Sequence, residues 1–506
     1  MSSVIDSLRT EPSVEELTGL TPWEVCQRLA DRKHLLFLDS AQASSPPAPL
    51  PEEEGGSLGR YSFVAADPVG VLKSHRGWIS ENGRFAGVAD PLTVLADRLT
   101  SFPCESIAEL PPFQGGAAGL LSYDLCHHFE VLPRPVYNDF SIPDLALGIY
   151  DWVVAFDHAA ERAWLLSTGY PEPDPRRRRQ RARQRGEQVK RWLDRGPVAY
   201  ADPAANARRL AGDDPICIET PQFPVDALPG FTSNYDRGYY LRTVARAIEY
   251  IHAGDCFQVN MAQRLLTQAA AQWLTPTGSL GLYEKLRMRN PAPFAGYFDL
   301  GDQVIASASP ERFMCVRQGE VETRPIKGTR PRGKTLTEDK CLAVELCASV
   351  KDHAENVMIV DLMRNDLGRV CEYGSVRVEA LCRLESHPFV HHLVSKVRGR
   401  LCPGRGPTDL LRASFPGGSV TGAPKIRAME IIAELERTAR GPYCGCLGYL
   451  GFDGSMDTNL LIRTIVLGKG WLHFSVGGGI VADSTPDTEY AETWHKAEGL
   501  LRALRE

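Results

Sequence analysis

Short apolar runs separated by turn residues dominate the first third of the chain. His34–Leu38, Tyr61–Ala65, Gly148–Phe156 and Ala163–Thr168 are rich in β-branched and aromatic residues, and each predicts a strand. Near Ser233 the period changes. Tyr240, Val244, Ile248 and Ile251 recur at helical spacing, and Ala253-Gly254 supplies the stop. Further strands are predicted at Ala295–Leu300, Gln303–Ser307, Phe313–Arg317, Leu447–Phe452, Leu460–Leu467 and Trp471–Val476, with helices near 338–366, 424–436 and 488–504. Several strands follow one another directly. The pattern therefore predicts an α+β protein with large, mostly antiparallel β-sheets and helices packed outside them.

Breaks in this pattern divide the chain. Residues 1–195 are expected to form an N-terminal β-rich domain, 196–230 a linker, and 231–506 the catalytic domain. The Pro-, Gly-, Ser- and acid-rich stretch 43–58 reads as a surface loop. Between Pro175 and Arg191 lie eight arginines and one lysine without interleaved aromatics, which predicts a solvated helix rather than a nucleic-acid contact.

Composition narrows the function class. The 506 residues are 43% hydrophobic and 24% charged with a net charge of -6, as in an ordinary globular enzyme, and give no reason to expect nucleic acid as partner. No apolar run approaches the roughly 18 residues of a membrane helix, and the N-terminal stretch lacks a signal-like pattern, so a cytoplasmic protein is expected. Thirteen cysteines without CxxC pairs predict buried free thiols in a reducing compartment.

The most telling local feature is Pro325-Ile326-Lys327-Gly328-Thr329-Arg330. A lysine held between a proline and a Gly-Thr turn, with Arg324, Arg330 and Arg332 nearby, is a candidate nucleophile, because burial and neighbouring cations both release the neutral amine. A solvated basic loop is the alternative. Residues 328–335 also match the phosphate-loop pattern GxxxxGK[ST]. Pro331 removes one of the backbone donors such a loop needs, and the preceding residues are too polar for a central parallel strand, so that reading is rejected.

Two carboxylate pairs stand at i, i+3 spacing, Asp352 with Glu355 and Glu489 with Glu492, each on one helix face. Converging on one point, they would suit a hard cation such as Mg²⁺; apart, they are solvated helical acids. Glycine clusters at 415–424 and 476–480 offer bare backbone to a small anion, or form tight turns. Arg463, in a strand-like run, needs an anionic partner if buried. His392 sits in an apolar strand pattern, and Glu311 near a strand end is a candidate general acid.

Taken together, Ala308-Ser-Pro-Glu-Arg312, Pro325–Thr329, Ile359–Asp366, Phe415–Lys425, Met456-Asp-Thr458 and Gly477–Asp483 resemble the motifs of the chorismate-utilising enzymes in order and spacing. That family includes anthranilate synthase component I, aminodeoxychorismate synthase component I and the isochorismate and salicylate synthases. The resemblance is closest over 233–500 and looser in the N-terminal third, where Phe37-Leu-Asp-Ser-Ala41 is similar to a tryptophan pocket.

The resemblance implies the anthranilate synthase component I-like fold and chorismate as substrate. It implies Mg²⁺ held by Glu355 and Glu492, with Asp352 and Glu489 reaching it through water. Gly328, Thr329, Tyr443, Arg463 and Gly477, Gly478 and Gly479 match positions that hold the substrate's carboxylates. Lys327 in PIKGT points, within the family, to aminodeoxychorismate synthesis, where anthranilate synthases carry PIAGT. The roles implied are nucleophile for Lys327 and general acid for Glu311, with His392 a further catalytic candidate. No G-x-C-x-G elbow is present, so a separate glutamine amidotransferase subunit is expected to supply ammonia. Anthranilate synthesis is the alternative, then isochorismate or salicylate synthesis, and a silent scaffold is the non-enzyme alternative.

Overall fold

The computed structural model describes residues 11–40, 58–102, 104–197, 209–212, 216–387 and 390–505. The expected loop at 43–58 therefore lies outside the described residues apart from Leu58.

Two large sheets are stacked face to face. One has 13 strands, running from Ser13–Leu17 at one edge through Leu36–Asp39, Phe294–Asp299, Gln303–Ser309, Thr464–Gly468, Trp471–Ile480 and Gln258–Gln268 towards Phe223–Pro224 at the other. The second has 12, running from Ile326–Pro331 through Val390–Arg400, Arg312–Arg317, Met456–Asn459, Cys446–Gly451 and Gly116–Leu121 to Arg84–Val88. All paired strands are antiparallel, as the pattern predicted. Strands from before residue 195 and from after 231 occur in both sheets, so the two parts share a core. Leu36, Phe63, Phe298 and Ile305 of the first sheet pack on Ala118, Leu120, Leu447 and Tyr449 of the second. Helices Pro276–Arg289 and Pro486–Leu504 cover the outer face of the first sheet, burying Leu280, Tyr283, Leu286 and Leu500 with Phe474 and Ile465.

Three expected elements divide differently. Gly148–Phe156 is two strands, Leu145–Tyr150 in the second sheet and Trp152–Asp157 in the first, and the chain changes sheets at Asp151. The strand expected at Leu460–Leu467 begins only at Thr464, because Leu460–Arg463 carries the chain from one sheet to the other. Met456–Asn459 belongs to the second sheet and Thr464–Gly468 to the first, with Arg463 between them at a left-handed φ of 52°. The helix expected over 338–366 is broken at Ser349, whose extended backbone ends Leu336–Ala348 and caps Val350–Gly368, its hydroxyl accepting from Asp352 N at 3.2 Å. Periodicity alone cannot register such breaks, because both flanking segments keep their own period.

The arginine-rich segment is the helix Pro175–Leu193, but it is not solvated all round. Arg178, Ala182, Gly186 and Val189 form a buried face. Arg178 donates to Glu172 O at 2.7 Å, and Arg185 pairs with Asp67 at 3.0 Å and Asp151 at 3.3 Å. The cysteines are free thiols, although Cys217, Cys341 and Cys347 are exposed rather than buried. Ser40 Oγ donates to Tyr61 O at 2.6 Å.

Gly119 sets how closely the sheets approach. It has φ +143°, and a Cβ there would sit 2.5 Å from Ala146 O and 2.8 Å from the Phe298 ring of the facing sheet. Gly119→Ala is expected to cost about 2 kcal/mol or more through backbone strain and overpacking. Urea unfolding would read this as a lower midpoint at unchanged slope.

Candidate active site

Two of the chain's crossings between the sheets lie side by side. One is Pro310-Glu311, between strands Gln303–Ser309 and Arg312–Arg317; the other is Leu460–Arg463. They are tied together by Ser309 Oγ donating to Leu460 O at 2.5 Å, Leu460 N to Glu311 O at 3.0 Å and Ala308 N to Arg463 O at 3.1 Å. Next to Glu311, Arg312 anchors its crossing by a two-pronged pair to Asp457 at 3.0 and 2.9 Å and a further bond to Glu322 at 2.8 Å.

These crossings wall a cavity of about 1730 Å³. Lys327, Gly328 and Thr329 enter it from the edge strand Ile326–Pro331, Asp352 and Glu355 from one helix, and Glu489 and Glu492 from another. Glu311, His392, Tyr443, Arg463, Gly477 and Gly479 complete it. The sequence candidates are thus brought to one place. Gly478 lies behind, where a Cβ would come 3.2 Å from Glu489 Oε2 and 3.3 Å from Glu492 Oε1. Residues 477–479 are not a turn but bare strand, paired with Ala262, Met261 and Asn260.

Lys327 is directed by a bulge. The pairing with Val390–Arg400 slips between Ile326 and Thr329, and Gly328 takes φ +84° there, with a prospective Cβ only 3.0 Å from Asp352 Cβ. Burial holds the Lys327 pKa below its usual range, against Glu355, and Lys496 acts in the same direction as burial. The arginines flanking the motif are engaged elsewhere. Arg324 pairs with Glu385, Arg330 with Glu345 at 2.8 Å and Asp352 at 3.3 Å, and Arg332 with Asp339 at 2.7 Å. Desolvation, not that cluster, is the main cause of the lowering.

Glu311 is 5% exposed, and burial pushes its carboxyl up to about 7 despite Ser419 Oγ donating to Oε1 at 2.8 Å. His392 is held far down, at about 3, chiefly by burial, and stays a neutral imidazole whose Nδ1 shares a 2.8 Å hydrogen bond with Thr329 Oγ1. Burial alone lowers Arg463, with no acidic neighbour to offset it, leaving a guanidinium that matches an incoming carboxylate.

The four helical carboxylates crowd one another. Burial raises Glu355 and Glu489, and in both Glu492 adds to the rise; for Glu492 burial is also the largest cause, but Lys496 at 2.7 Å, with Lys351 and Lys327, outweighs it and the pKa is lowered. Ser484 Oγ donates to Glu489 Oε1 at 2.6 Å. Among the described residues, no three His, Cys, Asp or Glu side chains close tightly enough to enclose an ion. The donor chemistry still fits a hard cation: carboxylate oxygens from two helices face one cavity, and the bare Gly478 leaves those of Glu489 and Glu492 uncrowded.

Several participants escaped the sequence reading. Ser419 lay within the quoted glycine motif, but nothing in that motif marks its hydroxyl as Glu311's partner. Lys496 stands four residues after Glu492, a spacing that could have signalled the pair. Asn260, in the cavity wall, carries no sequence signal. The rejected phosphate-loop match begins in the edge strand Ile326–Pro331, whose pairing is antiparallel.

Residues 58–502 match the chorismate binding enzyme family. The chain is 40% identical over 492 residues to anthranilate synthase component 1 of Thermus thermophilus, covering 96% of this chain and 95% of that one. It is 41% identical over 450 residues to aminodeoxychorismate synthase component 1 of Salmonella typhimurium, covering 88% and 90%. The solved anthranilate synthase component I from Streptococcus pneumoniae superposes with a TM-score of 0.73 at 32% identity, over 91% of this chain and 94% of that one. With this cavity, these motifs and these likenesses, the chain belongs to the chorismate binding enzyme family.

Proposed function

We propose that this chain is the chorismate-aminating component of an aminodeoxychorismate synthase, converting chorismate and ammonia to 4-amino-4-deoxychorismate, the precursor of p-aminobenzoate in folate synthesis. The observation that carries this reading is Lys327: a lysine with a lowered pKa in the same cavity as a carboxylic acid, Glu311, whose pKa is raised to about 7.

In this scheme the neutral Lys327 amine attacks C2 of chorismate. The ring double bonds shift and the C4 hydroxyl departs as water, taking the Glu311 proton. Ammonia then adds at C4, the double bonds shift back, and the Lys327 amine leaves C2. Chorismate and ammonia thus give aminodeoxychorismate and water. The covalent bond keeps ammonia away from C2 while C4 is open to it. Arg463 and the exposed backbone at 477–479 hold carboxylates, and neutral His392 steadies Thr329 beside them. Glu355 and Glu492, backed by Asp352 and Glu489, are the residues that would hold Mg²⁺. That ion would neutralise and orient a substrate carboxylate.

Relatives named "component 1" support a second component here, a glutamine amidotransferase that supplies ammonia. Among the described residues no helix is long and apolar enough to cross a membrane, in keeping with a cytoplasmic enzyme. Anthranilate synthesis is the second reading, favoured by the Thermus relative's name at 40% identity.

Purified chain given chorismate, Mg²⁺ and excess ammonium should yield aminodeoxychorismate, identified by chromatography and mass, and Lys327→Ala should lose that product or divert to anthranilate. Anthranilate from the unaltered chain would favour the second reading. Glu311 holds its proton below about pH 7 and gives it up as pH rises through that value. Glu311→Gln is therefore expected to erase the ionisation near 7 from the pH profile of kcat/KM and to lower the rate about a hundredfold or more.

A further inference from the structure

Behind the cavity wall lies a buried ion pair that the scheme above does not use. The helix Lys425–Glu436 ends at Glu436, and four residues on Arg440 donates to it twice, Nε to Oε2 at 2.8 Å and Nη2 to Oε1 at 2.6 Å. Both side chains are buried, and neither forms part of the cavity wall. Burial opposes the guanidinium's charge, but Glu436, with Cys444 and Tyr123, outweighs it and Arg440 stays charged. Taking two charges out of water offsets much of what their attraction returns, so such a pair is a weak source of stability. What it fixes is direction.

Three segments that line the cavity converge on the pair. Arg440 Nη1 donates to Val420 O at 3.1 Å and Nη2 to Asn260 O at 2.8 Å, while Glu436 Oε1 accepts from Ala262 N at 2.9 Å. The guanidinium also lies 5.6 Å from the centre of the Tyr443 ring. Val420 matters most, because it closes the single helical turn Gly418–Val420 that carries Ser419, whose hydroxyl donates to Glu311 Oε1 at 2.8 Å. The turn's own backbone bonds, Val420 N to Gly417 O and Thr421 N to Gly418 O, are long at 3.3 Å each. Two anchors reach it from outside: Arg440 on Val420 O, and Asn260 N on Thr421 O at 2.7 Å. Arg440 holds Asn260 by its carbonyl, so both anchors run through one guanidinium.

We propose that Arg440, clasped by Glu436, is a positioning residue for the chemistry at Glu311: it fixes the Gly418–Val420 turn so that the Ser419 hydroxyl stays on the carboxyl. This rests on the reading above that takes Glu311 as the general acid. The Ser419 hydrogen bond favours the carboxylate and draws the Glu311 pKa down against burial, so a loosened turn leaves Glu311 protonated to higher pH. Two other titratable groups face Glu311. Lys327, on the edge strand, also draws it down, and Cys444, beside Tyr443, is a neutral thiol that burial pushes up to about 12.

The test is the pH profile of kcat/KM, read as chorismate consumed at a fixed concentration of free ammonia, for the unaltered chain, Arg440→Lys, Ser419→Ala and the double variant. Arg440→Lys keeps the charge and gives up the planar fork, so a change reports geometry. Each single variant is expected to move the ionisation near 7 upward by about half to one pH unit, the worth of one hydrogen bond, and to lower kcat about tenfold. The double variant should move it no further than either alone. A lowered melting temperature in Arg440→Lys with the ionisation unmoved means a merely structural pair and overturns the proposal, as do additive movements in the double variant or movement with only one of the two substitutions. If Arg440→Lys fails to fold, Glu436→Gln, which keeps an acceptor oxygen and weakens the clasp, carries the same expectation, and an unmoved ionisation there overturns the proposal equally. Glu311→Gln separates the two levels: if the ionisation near 7 survives it, the acid assignment itself falls, whereas a profile that answers to Glu311→Gln and Ser419→Ala but not to Arg440→Lys sinks the positioning role alone.

Discussion

The site depends on two chain crossings that must sit next to each other. An antiparallel pair of stacked sheets can be built without any strand changing sheets, yet here Pro310-Glu311 and Leu460–Arg463 each pass from one sheet to the other, joined by backbone and Ser309 hydrogen bonds. A crossing leaves backbone without ladder partners, and each of these satisfies the other. The arrangement delivers an acid and a guanidinium to the gap between the sheets, where helices and sheet cover them. Arg463 holds its left-handed conformation with its carbonyl accepting from Ala308 N at 3.1 Å.

Burial then does the electrostatic work. It raises Glu311 and lowers Lys327, Arg463 and His392, so one cause shifts four groups from the pKa values they have in water. The carboxylates on the helical wall are partly offset by Lys351, 3.9 Å from Glu355, and Lys496, 2.7 Å from Glu492. A dianionic substrate entering this space would meet the Arg463 guanidinium and, elsewhere on the wall, bare glycine backbone set against the helical carboxylates. Those opposed demands give the cavity its polarity.

Much of this was legible in the sequence. Strand and helix periods located most elements, and the motif order located the family, because Glu311, Lys327, Glu355 and Glu492 each lie in a recognisable local frame. The misread strands share one physical reason: side-chain period does not encode where a chain leaves one sheet for another. Hence Gly148–Phe156 and Leu460–Leu467 read as continuous strands, and Arg463 as a strand residue. Residues 477–479 read as a turn because glycine permits turns, whereas here the missing side chains make room for Glu489, Glu492 and Gln258. The arginines around Lys327 read as its neighbours, but each has its own carboxylate partner. Ser419 matters through its hydrogen bond to Glu311, formed only when distant segments meet.

The central claim is that Lys327 becomes covalently joined to the substrate. Intact-protein and peptide mass spectrometry on the chain quenched with chorismate and Mg²⁺ in the absence of ammonia tests it directly. The account predicts an adduct of chorismate less one water on the peptide bearing Lys327, discharged when ammonium is added and missing from Lys327→Ala. A chain that turns over chorismate and ammonia at full rate with alanine at 327, and never carries the adduct, would contradict it.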